Sequence, residues 1–137
     1  WKVISADSEL FEIDPLPIKR TLSISGILNL SSSEDVNQPA QIERLMGGSL
    51  LTHPERYYAC DPYLLDDPNI ALTLIHGEKD DCVSVKQAID FGKKARCEPK
   101  VVLLPEADHF SMLLHDGMWN EEHWQLLKTY IKEVISS

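Results

Sequence analysis

Two short segments hold the residue types that proton-transfer chemistry uses. One runs His76-Gly77-Glu78-Lys79-Asp80-Asp81-Cys82-Val83, the other Pro105-Glu106-Ala107-Asp108-His109-Phe110. An imidazole that exchanges a proton near neutral pH needs a carboxylate to fix its tautomer and stabilise its charged form. An acid on one loop and a histidine on the next supply that pair when the fold brings them together. Spacing from His76-Gly77 favours Asp80 as the acid, with Asp81 competing for the role, and the Asp108-His109 sequence at a strand end favours His109 as the base. These would be the supporting members of a nucleophile–His–acid triad. The neighbours have plainer readings: Glu106 and Asp108 as solvated turn residues, His76 as a packing or hydrogen-bonding group at a strand end. His53, His115 and His123 have no pattern around them. Gly77 and the turn chemistry argue against a helix presenting His76 and Asp80 to one metal. With no His-Glu-x-x-His and no paired cysteines, the residues call for no metal and no cofactor. Cys82 is a conceivable replacement nucleophile beside His109, although a small Cys before Val83 reads better as a buried packing residue.

Positioning such loops takes strands that end beside one another. Thr21–Ile27 alternates apolar and small polar residues and reads as a strand ending near Gly26. Ile70–His76 is an apolar, partly β-branched run and reads as a buried strand. Lys100–Leu104 is a third, stopped by Pro105. Ala40–Met46 forms a short helix stopped by Gly47-Gly48, and Ser84–Arg96 a longer one. Ser84 and Gln87 fit a capping box at the start of that helix, and Lys93, Lys94 and Arg96 suit the negative end of its dipole. The last helix begins near Asn120, with Trp124, Leu127, Ile131 and Val134/Ile135 as its buried stripe. Between the first two strands, Asn29–Gln38 reads as loop, and Pro54, Pro62 and Pro68 leave room for only a turn of helix or loop. Strand, helix, strand, helix in this order implies right-handed crossovers and a parallel sheet covered on both faces: an α/β fold in three αβα layers. In such sheets, chemistry sits beyond the carboxyl ends of the strands, where both segments fall.

The chain has 137 residues, 43% of them hydrophobic, and a formal net charge of −9. That fits one globular domain, residues 1–137, able to fold without disulfides or metal. The charge repels phosphate, and Lys19-Arg20 and Lys93-Lys94 are too small as basic clusters to reverse that, which argues against a nucleic-acid partner. Apolar runs such as Val101–Leu104 are far too short to span a membrane. Three cysteines, Cys60, Cys82 and Cys97, are an odd number at irregular spacing and point to a reducing, cytoplasmic setting. The start at Trp1, without Met or a signal-peptide core, reads as a piece of something longer.

His76-Gly-x-x-Asp80-x-x-Val83, a helix, a strand and then Asp108-His109-Phe110 resembles the C-terminal half of an α/β-hydrolase. Ser25-Gly26-Ile27-Leu28-Asn29-Leu30, Leu45-x-Gly47-Gly48 and Pro54-Glu55-x-Tyr57 are similar to the segment after the preceding strand, and to the lid, of the esterase branch that includes kynurenine formamidases. The resemblance covers residues ~20–137, with a lid-like insertion at about 29–69. It implies a serine hydrolase of small-molecule esters or aryl formamides, with Asp80 and His109 as triad members and a carboxylate oxygen of Asp80 within about 3.2 Å of His109 Nδ1. The family's Gly-x-Ser-x-Gly elbow and His-Gly-Gly-Gly-type loop are missing; Gly47-Gly48-Ser49-Leu50-Leu51 lacks the final Gly and follows the wrong strand. In the chain order Ser…Asp…His, both parts belong before residue 1, so the nucleophile is expected on an upstream half of the same protein. Asn29 stands where related sequences have Asp, and Ser84 where many have Pro. The alternative is a non-catalytic binding or interaction domain that kept the scaffold and lost the elbow. Without the upstream half, the strand at Thr21–Ile27 becomes an exposed edge, inviting pairing with a second copy of the chain.

Overall fold

The computed structural model describes residues 18–65, 70–112 and 120–136. Three strands, β1 (Arg20–Ile24), β2 (Ala71–Gly77) and β3 (Lys100–Leu104), form a parallel sheet in the order β1-β2-β3. Leu22 lies opposite Thr73 and Ile75 opposite Val102, so the carboxyl ends of β2 and β3 come out side by side. Alternation along β2 sends its side chains to two separate cores. Ile75 packs with Val102, Leu104, Ala107, Met112 and Leu127 on one face, supported by Leu22 and Ile24. Leu74 packs with Ala88, Phe91 and Ala95 on the other. Helices α3 (Lys86–Lys94) and α4 (Glu121–Ser136) therefore cover opposite faces, which gives the three layers. Within the described residues β1 pairs only with β2, so its outer edge has no strand beside it. No helix among the described residues is long and apolar enough to cross a membrane.

Strand β1 is shorter than its alternating pattern suggests. The backbone turns left-handed at Ser25, φ 45°, and this takes Gly26 and Ile27 out of the strand. The proline-punctuated stretch also departs from expectation. Pro54 opens α2 (Pro54–Cys60), because a proline at the first helical position has its φ already set and lacks an amide that would go unpaired there. Pro39 opens α1 (Pro39–Met46) in the same way, and Gly47, at φ 79°, ends it in the left-handed conformation that glycine accepts without strain. Ile42, Met46 and Tyr57 make a small third core under this insertion, with Ile27, Leu30, Val36 and Leu50 packed against it.

Helix α3 starts at Lys86, not Ser84, and the capping box does not close. Ser84 Oγ accepts from the Lys86 amide at 3.3 Å, but Gln87 turns inward and is only 2% exposed. Its Oε1 accepts from the amides of Leu28 (2.9 Å) and Asn29 (2.7 Å), and its Nε2 donates to the Asn29 carbonyl at 3.2 Å. Asp61, fully buried, completes the same clamp. It accepts from the Leu30, Ser31 and Tyr63 amides and from Ser31 Oγ. A segment without a ladder of its own thus has its amides satisfied by two side chains. In α4, Asn120 caps the helix by accepting from the Glu122 and His123 amides. Leu127 is buried and Trp124, Ile131 and Val134 half-buried as the periodicity implies, but Ile135, in the last turn of the helix, is 77% exposed.

Candidate active site

The loops after β2 and β3 are tied together by backbone hydrogen bonds. The Glu78 amide donates to the Leu104 carbonyl at 3.0 Å and the Lys79 amide to the Ala107 carbonyl at 2.9 Å. Gly77 permits this approach, because a Cβ there would lie 2.2 Å from the Ala107 oxygen. The insertion is joined to the same loop: Val36 bridges Val83, the Asn37 amide donates to the Cys82 carbonyl, and the Ser84 amide donates to the Asp35 carbonyl.

On this frame Asp80 and His109 meet. Asp80 Oδ2 lies 2.9 Å from His109 Nδ1. The Asp80 side chain has no exposed surface, and its Oδ1 accepts from the Cys82 amide at 3.0 Å and the Val83 amide at 2.8 Å. Burial pushes the Asp80 carboxyl up, but the Val83 amide, His109 and Ser25 together outweigh it and hold the group below its ordinary value. A carboxylate that stays ionised and accepts at Nδ1 fixes the tautomer in which Nδ1 carries the proton, leaving Nε2 as the nitrogen able to take another. The His109 side chain is 25% exposed and its ring meets Phe110 edge-to-face, with centroids 5.1 Å apart. His76, 1% exposed, donates from Nε2 to the Val83 carbonyl at 2.9 Å and lies 3.4 Å from Asp80 Oδ2, so it buttresses the acid's turn from below.

The remaining candidates have other occupations. Asp108 Oδ1 accepts from the Phe110 and Ser111 amides and shapes the turn that presents His109. Asp81 is exposed, with its carboxylate 3.6 Å from Cys82 Sγ. Glu106 is exposed, pairs with Lys79 at 3.7 Å and supplies a left-handed turn residue, φ 57°. His123, which has no pattern in the sequence, is buried and bonds Ser111 Oγ at 3.0 Å, tying α4 to the His109 turn. His53 is on the insertion beside Thr52, and His115 lies outside the described residues. Burial, followed by the nearby Asp81 charge, raises the Cys82 thiol, which keeps it protonated and a poor nucleophile. Asp80, Cys82 and His109 offer ligand atoms within 4.8 Å of one another, but the Asp80 oxygens are already held by amides and imidazole, which a metal would have to displace.

No family model matches the chain, and no curated protein matches it. Solved structures do. An acylaminoacyl peptidase from Pyrococcus horikoshii superposes with a TM-score of 0.62 at 15% identity, over 88% of this chain and 21% of its own. The mouse alpha/beta hydrolase domain-containing protein 10 does so with a TM-score of 0.59 at 15% identity, over 89% of this chain and 54% of that one. This is an α/β-hydrolase fold. A third structure, Thermogutta terrifontis esterase 2 phosphoramylated by tabun, gives a TM-score of 0.54 at 16% identity, over 85% of this chain and 41% of its own. The chain thus spans between about a fifth and about half of these hydrolase structures. Its parallel sheet with a helix layer on each face corresponds to the C-terminal part of the fold.

Proposed function

We propose that this chain supplies the acid and base of a serine hydrolase acting on small carboxylic esters or aryl formamides, and that an upstream half of the same protein carries the nucleophile. The observation that carries this reading is the 2.9 Å contact between a buried, amide-anchored Asp80 and a quarter-exposed His109 at adjacent strand ends. The strand bearing the nucleophile would pair with the open edge of β1. In the reaction His109 Nε2 accepts the proton of the serine hydroxyl as it attacks the carbonyl. The resulting imidazolium, stabilised by Asp80, returns that proton to the leaving alcohol or amine. His109 then takes a proton from a water molecule as the water oxygen attacks the acyl-enzyme carbonyl. It returns that proton to the serine oxygen as the acyl–serine bond breaks and the acid leaves. An acylaminoacyl peptidase and an esterase are among the structural neighbours, which supports acyl transfer to water as the reaction class. The formamidase-like choice rests on the Ser25–Leu30 and Leu45–Tyr57 motifs. Cys60, Cys82 and Cys97 form no disulfide with one another, and on their odd number and irregular spacing we place the protein in the cytoplasm.

The test compares the whole protein with the 137-residue chain, using p-nitrophenyl acetate and an N-formyl aniline as substrates. The whole protein should turn over at least one of them, with the better substrate separating esterase from formamidase. The chain alone should show no turnover above its His109→Ala control. Turnover by the chain alone that depends on Cys82 would overturn the reading, and an inactive whole protein would favour a non-catalytic domain.

A further inference from the structure

Asp80 Oδ1 takes its two amide bonds from Cys82 and Val83, so the acid sits wherever that short backbone sits. Residues 82–84 belong to no helix or extended strand, and Val83 is joined to Val36 by an isolated antiparallel bridge. Besides the first turn of α3, three hydrogen bonds tie this backbone to the fold. His76 Nε2 donates to the Val83 carbonyl at 2.9 Å. The Asn37 amide donates to the Cys82 carbonyl at 2.9 Å, and the Ser84 amide donates to the Asp35 carbonyl at 2.7 Å. Two of the three therefore come from the insertion. Asp35 is itself anchored. Its side chain is 12% exposed, with Oδ1 3.0 Å from Lys86 Nζ at the start of α3 and Oδ2 accepting from Ser32 Oγ at 2.9 Å. Val36 packs on the small core of Ile42, Met46 and Tyr57. The backbone that holds the acid is thus clipped to a segment with its own core and its own ion pair.

We propose that Asp35 and Asn37 are positioning residues for the acid: their carbonyl and amide pin residues 82–84, and through them the insertion sets where Asp80 meets His109. The 2.9 Å contact with Nδ1 needs an acid that does not shift, because a misplacement of about 1 Å can cost about 10²-fold in rate. A displacement of Asp35–Asn37 would release the Cys82 carbonyl and the Ser84 amide together, so the insertion and the acid's turn move as one. The effect on turnover rests on the hydrolase reading; the hold on the Asp80 turn does not.

The experiment uses Asn37→Pro, Asn37→Ala and Asp35→Ala in the whole protein. Proline deletes the amide that the Cys82 carbonyl accepts, and Val36, extended at φ −129° and ψ 134°, suits the residue before a proline. Alanine at position 37 keeps that amide. Asp35→Ala keeps both backbone bonds but cuts the anchor to Lys86 and Ser32, and it decides the matter if the proline variant does not fold. Hydrogen exchange is read at the Cys82 and Val83 amides, with the Ile75 amide in β2 as reference, and turnover by steady-state kinetics. Asn37→Pro and Asp35→Ala should speed exchange at the two amides about tenfold and leave Ile75 unchanged. Both should lose about tenfold in kcat with KM unchanged, while Asn37→Ala matches the unmodified protein. Exchange that stays in place, or that speeds equally at Ile75, overturns the proposal. So does faster exchange with kcat unchanged, a loss confined to KM, or an Asn37→Ala variant as impaired as Asn37→Pro. If the unmodified protein hydrolyses nothing, the hydrolase reading has failed, and exchange alone decides whether the insertion holds the Asp80 turn.

Discussion

Asp80→Asn in the whole protein is expected to lower kcat about 10⁴-fold while leaving the fold intact. The amide oxygen of asparagine can still accept from the Cys82 and Val83 amides, so the turn survives. The other end of the group then presents an NH₂ to His109 Nδ1, where the carboxylate oxygen lies at 2.9 Å. Nδ1 is forced to accept, the ring proton moves to Nε2, and that nitrogen can no longer take a proton from the nucleophile. KM should hardly change, because neither residue is assigned to substrate binding. Stability carries a second signature of the same group. The folded value of the Asp80 carboxyl lies below its unfolded value, so its contribution is complete above the ordinary carboxylate range and is lost as pH falls through the folded value. Chemical denaturation across that acid range should show a loss in the unmodified protein that Asp80→Asn lacks.

His109→Ala should be at least as severe, with kcat/KM reduced by about 10⁴-fold or more. Combining it with Asp80→Asn should cost almost nothing further, because an acid whose role is to orient an imidazole has none once the imidazole is gone. Steady-state kinetics of the two single variants and the double variant check this. Additive losses would mean that the two residues act separately. Stability should fall by about 1–3 kcal/mol, since the variant takes a charge-assisted hydrogen bond from a carboxylate that has no exposed surface.

Much of this arrangement was legible in the sequence because it follows from local chemistry. Strands β2 and β3 show themselves as short apolar runs closed by Gly77 and Pro105, and the loops after them carry Asp80 and His109. Choosing Asp80 over Asp81 by spacing places the buried carboxylate against His109 and the exposed one away from it. The insertion was hardest to read, because its order comes from side chains far away in sequence. Gln87 looks like a capping residue of α3, and only tertiary structure turns it onto the Leu28 and Asn29 amides, 59 and 58 positions away. Asp61 lies within the proline-punctuated stretch, with no periodic signal around it, yet it is buried under the Leu30–Ser31 turn. Ser25 is similar: nothing in Ser-Ile-Ser-Gly announces a left-handed serine, and its neighbour Gly26 would have been the natural guess for one. His123 also lacked any signal, because its role depends on how α4 docks against Ser111.

The most direct measurement is mass spectrometric mapping of the adduct formed when the whole protein reacts with a serine-directed phosphonate. A single adduct is expected on a serine within a Gly-x-Ser-x-Gly sequence upstream of Trp1, formed about 10³-fold more slowly in His109→Ala. An adduct on Ser25 or on Cys82, or turnover without any adduct, would contradict the assignment of this chain as the acid–base half of a serine hydrolase.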